Sequence, residues 1–405
     1  MQHIVIIGGG FAGMWAALTA ARELAQNGAT ARITLVSRDE YLTVRPRLYE
    51  VFDERLRTPL PPVLAPLGIE LVLGTAQTID CATHTIVVAS AGANGSDTST
   101  LHYDRLVLAA GSEQAPLPVP GVAEFAFNVD TFAAAERFDQ HLKQVLSTPD
   151  QPGHATFVII GGGFTGIELA AEMQNRIRTH AGAAVAAAAR VIVIERAAVL
   201  GPELGDNPRP VFEAALRDAQ VEVRVNTSVN QIERNAVVLA NGERIIATTT
   251  VVTAGLRAQP LARQLGGALD HSGRVKVDAN LRVTGVPTVF AAGDIACAQA
   301  DDSHLALMSC QHAIPMGKHA GYNVAHDVLG TPLRAYAQPN YVTCLDLGDY
   351  GALFTVGWER KIDNAGPDVK AFKRMINTQW IYPPSGDRAA LLAAADIDAP
   401  WPPAV

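Results

Sequence analysis

The chain opens on an unbroken apolar stretch, Ile4-Val5-Ile6-Ile7, set between His3 and three glycines. A β-branched run that short, with no polar alternation, predicts a parallel strand buried on both faces, His3–Ile7. Gly8 to Gly13 then breaks the pattern. Met14 to Gln26 is alanine-rich, with charges only towards its end, and predicts a helix. A second apolar strand follows at Ala31–Ser37, completing a βαβ unit. The same succession returns later: strand Phe157–Ile160, turn Gly161–Gly166, helix Ile167–Arg178, strand Val191–Glu195. Val5-Ile6-Ile7-Gly8-Gly9-Gly10-Phe11-Ala12-Gly13 aligns with Val158-Ile159-Ile160-Gly161-Gly162-Gly163-Phe164-Thr165-Gly166, 153 residues farther on (161 − 8). Such a repeat is a far stronger signal than one glycine motif.

Between the repeats, Leu71–Leu73, Thr85–Ala89 and Arg105–Ala109 read as strands. Ala91–Thr100, rich in Gly, Ser and Asn, reads as an exposed hairpin loop. Gln151-Pro152-Gly153 leads into a second domain. Ala181–Ala189, nearly all alanine, reads as a helix end or loop without function. Val289-Phe290-Ala291-Ala292 is a strand ending on Gly293-Asp294, and a helix follows from about Met308 to Leu329. From about Leu333 short strands alternate with a polar loop, ending in the tail Pro400-Trp401-Pro402-Pro403.

The 405 residues suggest two or three domains. Apolar residues are 48% and charged residues 18%, a balance that excludes disorder. The net charge of −8, without a long basic run, argues against a nucleic-acid partner. The four cysteines, Cys81, Cys297, Cys310 and Cys344, have no CxxC spacing, so no metal site is signalled; unpaired thiols suit a reducing cytosol. One feature imitates a membrane span: Ile4 to Ala21 is uncharged over eighteen residues (21 − 4 + 1). The three glycines inside it favour a buried strand, a tight turn and a helix instead, and the start lacks a signal peptide's basic residues.

Each glycine turn has a direct chemical meaning. A helix N-terminus offers free N–H groups and a partial positive charge, which a pyrophosphate reaches only if no side chain intervenes. Gly8 and Gly161 allow the turn, Gly10 and Gly163 the close approach, Gly13 and Gly166 the helix–strand packing. The end of the second strand commonly supplies an acid to a ribose. In the second unit that is Glu195, whose carboxylate would repel a 2′-phosphate and so favours NADH over NADPH, tempered by the adjacent Arg196. The first unit has Ser37 there, followed by Arg38.

These turns, with Tyr103 to Ser112, Gly161 to Glu172, Thr253-Ala254-Gly255 and Ala291-Ala292-Gly293-Asp294, resemble the two-dinucleotide-binding flavoproteins, most closely the type II NADH dehydrogenase-like branch. The resemblance covers about residues 1 to 330. It implies an α/β chain with two Rossmann-like domains: an FAD domain (1–115 and 275–330) interrupted by an NADH domain (116–274), then a smaller C-terminal domain (331–405). It places FAD on the first unit, with Gly8, Gly10, Phe11, Ala12, Gly13, Ser37, Arg38, Ala76, Ala110, Gly111, Gly293 and Asp294 as candidate contacts. Asp294 would hold the ribitol chain, and Ala110-Gly111 would mark the crossing between domains. NADH falls to Gly161, Gly163, Phe164, Thr165, Gly166, Glu195 and Gly255. The family's disulfide reductases, peroxidases and CoA-disulfide reductases need cysteines that this chain lacks. Arg45-Pro46-Arg47-Leu48-Tyr49-Glu50 instead resembles the segment that type II dehydrogenases place beside FAD.

Glu168 and Glu172, four apart on one helix face, would look at the nicotinamide and the acceptor side respectively. The acceptor segment departs from the family's Ala-Gln-x-Ala-x-Gln-Gln-Gly pattern. It reads Cys310-Gln311-His312-Ala313-Ile314-Pro315-Met316-Gly317, so Gln311 is kept while Pro315 and Met316 replace the paired glutamines. Val369 to Tyr382 is a basic-apolar helix candidate that packs on its own domain, touches the inner face of a membrane or lines an acceptor pocket. The expected function is hydride transfer from NADH to FAD and on to a quinone or other small aromatic acceptor, with Glu168, Glu172 and Gln311 as catalytic candidates. The alternatives are a protein carrier such as ferredoxin, docking on Arg45, Arg47, Arg55 and Arg57, and a flavin-bound redox sensor. A homodimer is left open.

Overall fold

The computed structural model describes residues 1–90 and 97–399. Its elements follow from the buried apolar runs. Strand His3–Ile7 sits third in a seven-stranded sheet ordered Val289–Ala291, Arg105–Leu108, His3–Ile7, Arg32–Ser37, Glu70–Asp80, Thr85–Ser90, Thr98–His102. The first five strands run parallel and the last three form an antiparallel meander. Ile4, Val5 and Ile6 are fully buried, worth roughly 1.5–3 kcal/mol each by area removed from water. The uncharged run is therefore strand, turn and helix. No helix among the described residues is long and apolar enough to cross a membrane.

Val289–Ala291 completes this sheet although the whole second unit lies between it and its neighbour. That second unit has a four-stranded parallel sheet ordered Val221–Arg224, Arg190–Ile194, Thr156–Ile160, Thr249–Val252. A three-stranded antiparallel layer, Val229–Glu233, Ala236–Leu239 and Arg244–Ile246, packs on it. Ser112–Gln114 pairs with Leu256–Ala258 where the chain crosses between the units. The C-terminal part is a three-stranded antiparallel sheet, Val342–Asp346, Ala352–Val356 and Lys361–Gly366, followed by helix Pro367–Met375.

The differences from expectation are local. Leu71–Leu73 belongs to the longer strand Glu70–Asp80, since alternation across a meander needs only one apolar face. Thr98–Thr100 is paired in strand Thr98–His102; the rest of that expected loop, 91–96, and the proline-rich tail lie outside the described residues. Ala183–Ala188 is a short helix of its own, separated from helix Phe164–Ala181 by Gly182. Val369–Tyr382 is not one regular helix: Pro367–Met375 is α-helical and Ile376–Trp380 is a π-turn.

Two glycines set the closest helix contact. A Cβ at Gly317 would overlap the Ala12 carbonyl oxygen, and one at Gly321 that of Ala16. Helix Cys310–Leu329 thus lies backbone to backbone on helix Phe11–Gln26.

Candidate active site

Both glycine turns open into one cleft of about 1860 Å³ between the two units and the C-terminal sheet. The turns are built alike. Gly8 and Gly161 have φ of +117° and +113°, a region that favours glycine. A Cβ on Gly13 or Gly166 would overlap the carbonyl oxygen of Gly8 or Gly161, so these two serve packing beneath the turn. At Gly10 a side chain would meet no protein atom within 4 Å, and helix Phe11–Gln26 starts there without a side-chain cap. That open cradle of backbone N–H groups fits a dinucleotide pyrophosphate. Phe11, Ala12, Ser37, Arg38, Ala76, Ala110, Gly111, Gly293 and Asp294 line the same cleft.

The second turn is furnished differently. Glu195 is buried, and its carboxylate accepts Gly162 N–H (2.8 Å) and Ala197 N–H (2.7 Å), which fixes it at the strand end. Glu203 accepts Phe164 N–H at 3.2 Å, and its Oε1 stands where a Gly163 side chain would go. A carboxylate therefore covers the N-terminus of helix Phe164–Ala181, favoured by the helix dipole. Gly163, Phe164, Thr165 and Glu195 line the cleft, as does Gly255 at the crossing. Glu203 escaped the sequence reading because it lies 39 residues from its partner.

Arg45 joins a polar knot at the floor. Its guanidinium donates to Ser112 Oγ (3.0 Å), pairs with Asp130 and lies 3.5 Å from Asp294, to which Ser112 Oγ donates (2.6 Å). The other arginines of the expected docking face are neutralised locally: Arg47 by Glu50, Arg55 by Asp53 and Arg57 by Glu54, at 2.9, 2.7 and 2.6 Å. They offer no net positive patch to an acidic carrier.

Glu168 and Glu172 part company. Glu168 lines the cleft, is 3% exposed, accepts Asp346 N–H (3.0 Å) and pairs with Lys373. Burial pushes its carboxyl up to about 7, against the pull of Lys373. Burial would lower the Lys373 ammonium, but Glu168 and Asp346 hold it above its ordinary value. Lys373 also donates to the Cys344 carbonyl and lies over the Phe164 ring at 5.5 Å. Glu172 is not on the cleft wall. It is bonded by Asn175 and lies 3.5 Å from Lys370, which also reaches Asp346 (2.9 Å); burial raises its carboxyl. Lys370, Lys373 and Asp346 come from the C-terminal part and were not nominated from sequence.

Gln311 faces the cleft, yet its amide is spoken for. Oriented by its partners, it donates to Val342 O (2.7 Å) and accepts Val342 N–H (3.1 Å), tying strand Val342–Asp346 to helix Cys310–Leu329. Pro315 has no N–H, which leaves the Gln311 carbonyl, one turn back, without its helix partner. Gln338 Nε2 fills that place at 3.2 Å. Gln338 Oε1 in turn meets His312 Nδ1 (3.1 Å) and Tyr336 OH (2.8 Å). His312 is fully buried and burial lowers it to about 4, so it stays neutral and structural. Burial pushes the Cys310 and Cys344 thiols up to about 11, which keeps both protonated and poorly nucleophilic at neutral pH.

The far wall is aromatic. Phe354 and Phe372 meet edge to face at 5.5 Å, and Phe372 and Trp380 at 5.4 Å. Ile376, Asn377 and Ile381 complete it. In the π-turn, Ile381 N–H reaches back five residues to Ile376 O at 3.2 Å. That extra residue keeps Asn377, Trp380 and Ile381 on the cleft side.

Comparison with known proteins agrees with this architecture. The pyridine nucleotide-disulphide oxidoreductase family matches residues 2–317. An NADH dehydrogenase-like protein of Mycobacterium tuberculosis is 46% identical over 399 residues, covering 98% of each chain. The demethylphylloquinone reductase of Synechocystis is 28% identical over 92% of this chain and 91% of that one. Among solved structures, NDH2 from Plasmodium falciparum in complex with NADH superposes with a TM-score of 0.77 at 14% identity, covering 96% of each chain. The chain is an oxidoreductase and belongs to the pyridine nucleotide-disulphide oxidoreductase family, on its type II NADH dehydrogenase-like branch.

Proposed function

We propose that this protein is an FAD-dependent NADH dehydrogenase whose acceptor is a quinone or another small planar aromatic. In balance, NADH, one proton and a quinone become NAD⁺ and a hydroquinone. The observation that carries the reading is one cleft that joins an open glycine cradle, an acid-bearing second cradle and an aromatic wall. The names of its relatives support it, since they include a demethylphylloquinone reductase and type II NADH:quinone oxidoreductases. In this reading residues 1–115 and 275–330 hold FAD, 116–274 hold NADH and 331–405 close the acceptor side.

Bound FAD would supply the hydride-accepting, electron-passing centre. The chain's own residues do the rest. Gly8–Gly13 and Gly161–Gly166 bring pyrophosphates to helix N-termini. Asp294, Ser112 and Arg45 hold polar groups at the floor. Glu195 selects a free ribose 2′-hydroxyl. The Glu168–Lys373 pair seals the nicotinamide end against water and stores a proton at Glu168 Oε near neutral pH. Mixing the yellow protein anaerobically with NADH should bleach its visible flavin band, and a quinone should restore it. A band that stays unbleached overturns the oxidoreductase assignment; one that bleaches but recovers only with other oxidants overturns the quinone.

A further inference from the structure

The geometry points to Asn377 as the residue that recognises the acceptor, its carboxamide donating a hydrogen bond to a carbonyl oxygen of a planar diketone held against Phe354, Phe372 and Trp380. This rests on the acceptor reading above and names the contact that reading lacks.

The argument begins with a missing amide. On this segment Pro315 lines the cleft and offers no hydrogen bond, Met316 is buried in the core, and Gln311 spends its amide on Val342. That segment by itself therefore gives a quinone carbonyl no free side-chain amide. Asn377 supplies the donor from the opposite side. It lines the cleft, is 7% exposed, and its carboxamide makes no hydrogen bond to protein among the described residues. Its amide atoms are not sealed in the protein but reach the cleft, where a ligand carbonyl can take the place of water.

Its placement is specific. Asn377 is one turn beyond Lys373, which is fixed to Glu168 and to the Cys344 carbonyl. It also falls inside the π-turn, a helix defect that is rare and concentrates at functional sites. The end of the turn is pinned: Tyr382 OH donates to Arg55 O (2.8 Å) and accepts from Arg47 (3.1 Å). The segment is thereby held rigid, as an interaction site requires. The Phe372 ring stands edge-on to both Phe354 and Trp380, so a planar ring can enter as a further member of the aromatic cluster.

The test is Asn377→Leu, read by anaerobic stopped-flow in the holoenzyme. Menadione, a soluble 1,4-naphthoquinone, and ferricyanide, which offers no carbonyl, serve as alternative oxidants. The expected result is a rise of about 3- to 10-fold in the menadione KM relative to that for ferricyanide, the loss of one hydrogen bond to a neutral group. Tm without acceptor should stay level or rise, because the substitution breaks no bond within the protein; a structural asparagine would lower it. Asn377→Ser, which restores a hydroxyl donor in a smaller side chain, should recover part of the menadione KM and covers the case in which the leucine variant does not fold. An unchanged KM ratio in either folded variant overturns the assignment of Asn377. So does a Tm loss with parallel loss of both activities. If wild-type protein is bleached by NADH but not reoxidised by menadione, the quinone reading falls and this contact with it, an outcome visible before any variant is made.

Discussion

The two glycine units share a backbone and differ in what covers it. In the first, Gly10 faces open cleft and the helix is buried through apolar Trp15 and through Thr19. In the second, the positions 153 residues on are Glu168 and Glu172, and Glu203 sits on the turn. Helix Cys310–Leu329 covers the first helix by glycine-to-backbone contact; the C-terminal lysines cover the second by charge. One backbone design has therefore been turned to two ends. The open, apolar-backed cradle suits a cofactor that never leaves. The guarded, charge-backed one suits a cosubstrate that arrives and departs each turnover.

The sharpest way to break that contrast is Gly13→Val against Gly166→Val. Each drives a side chain into a carbonyl, and the expected losses are complete but separate. The first variant should purify colourless, and the second yellow but unbleached by NADH. If both lose the flavin, the units are not independent sites. Next in size is Lys373→Met, which leaves Glu168 buried without its partner and should cost about 3–5 kcal/mol. Glu168→Gln in the same chain should recover most of that in a denaturation series. The sign of its pH dependence follows from the raised carboxyl. In the folded protein Glu168 holds its proton up to about 7, against an ordinary 4.5. Stability from this group is therefore fullest below the ordinary value and falls as pH climbs towards 7. The Lys373→Met penalty should accordingly be larger at about pH 8 than at about pH 5, and a penalty flat in pH would remove Glu168 as its cause.

Smaller effects refine the contrast. Glu195→Gln keeps an acceptor for Gly162 N–H but removes the charge. The NADH-to-NADPH ratio in kcat/KM should fall about tenfold, a change of about 1.4 kcal/mol; an unmoved ratio would strip Glu195 of its selective role. Smallest is Glu203→Gln. Relief of the carboxylate from the pyrophosphate's place should lower the NADH KM by about two- to fivefold with kcat kept, in line with a helix-terminus charge of about 0.3–1 kcal/mol. A raised KM would mean that Glu203 assists the dinucleotide.

What could be read from the sequence was whatever backbone geometry dictates locally. The strand–turn–helix units declare themselves because Gly8 answers to its own positive φ and Gly13 to the Gly8 carbonyl five residues back. The same holds for Glu195, fixed by its place at a strand end. The acceptor side was not legible, because its pairings are remote. Lys373 meets Glu168 across 205 residues. Gln311 looked like a free amide because nothing near it in the chain announces Val342. Asn377 depended on a π-turn, which shifts the register of a helix face by one residue and leaves no mark in periodicity. Glu172 shared a helix face with Glu168 but sits one turn farther from the cleft.

The glycine contact between helices Phe11–Gln26 and Cys310–Leu329 bears on how the chain is made. The two partners are separated by 283 residues (310 − 26 − 1). At about 5–20 residues per second, a ribosome needs on the order of 15–60 seconds to deliver the second after the first. Through that interval the inner face of the first helix has no lid, and the sheet lacks its Val289–Ala291 edge. The intervening unit is made meanwhile, though its core also waits on Leu345, Leu347 and Leu353 from the C-terminal sheet. The first glycine unit thus waits on elements made only after the whole intervening unit before its sheet and helix can close.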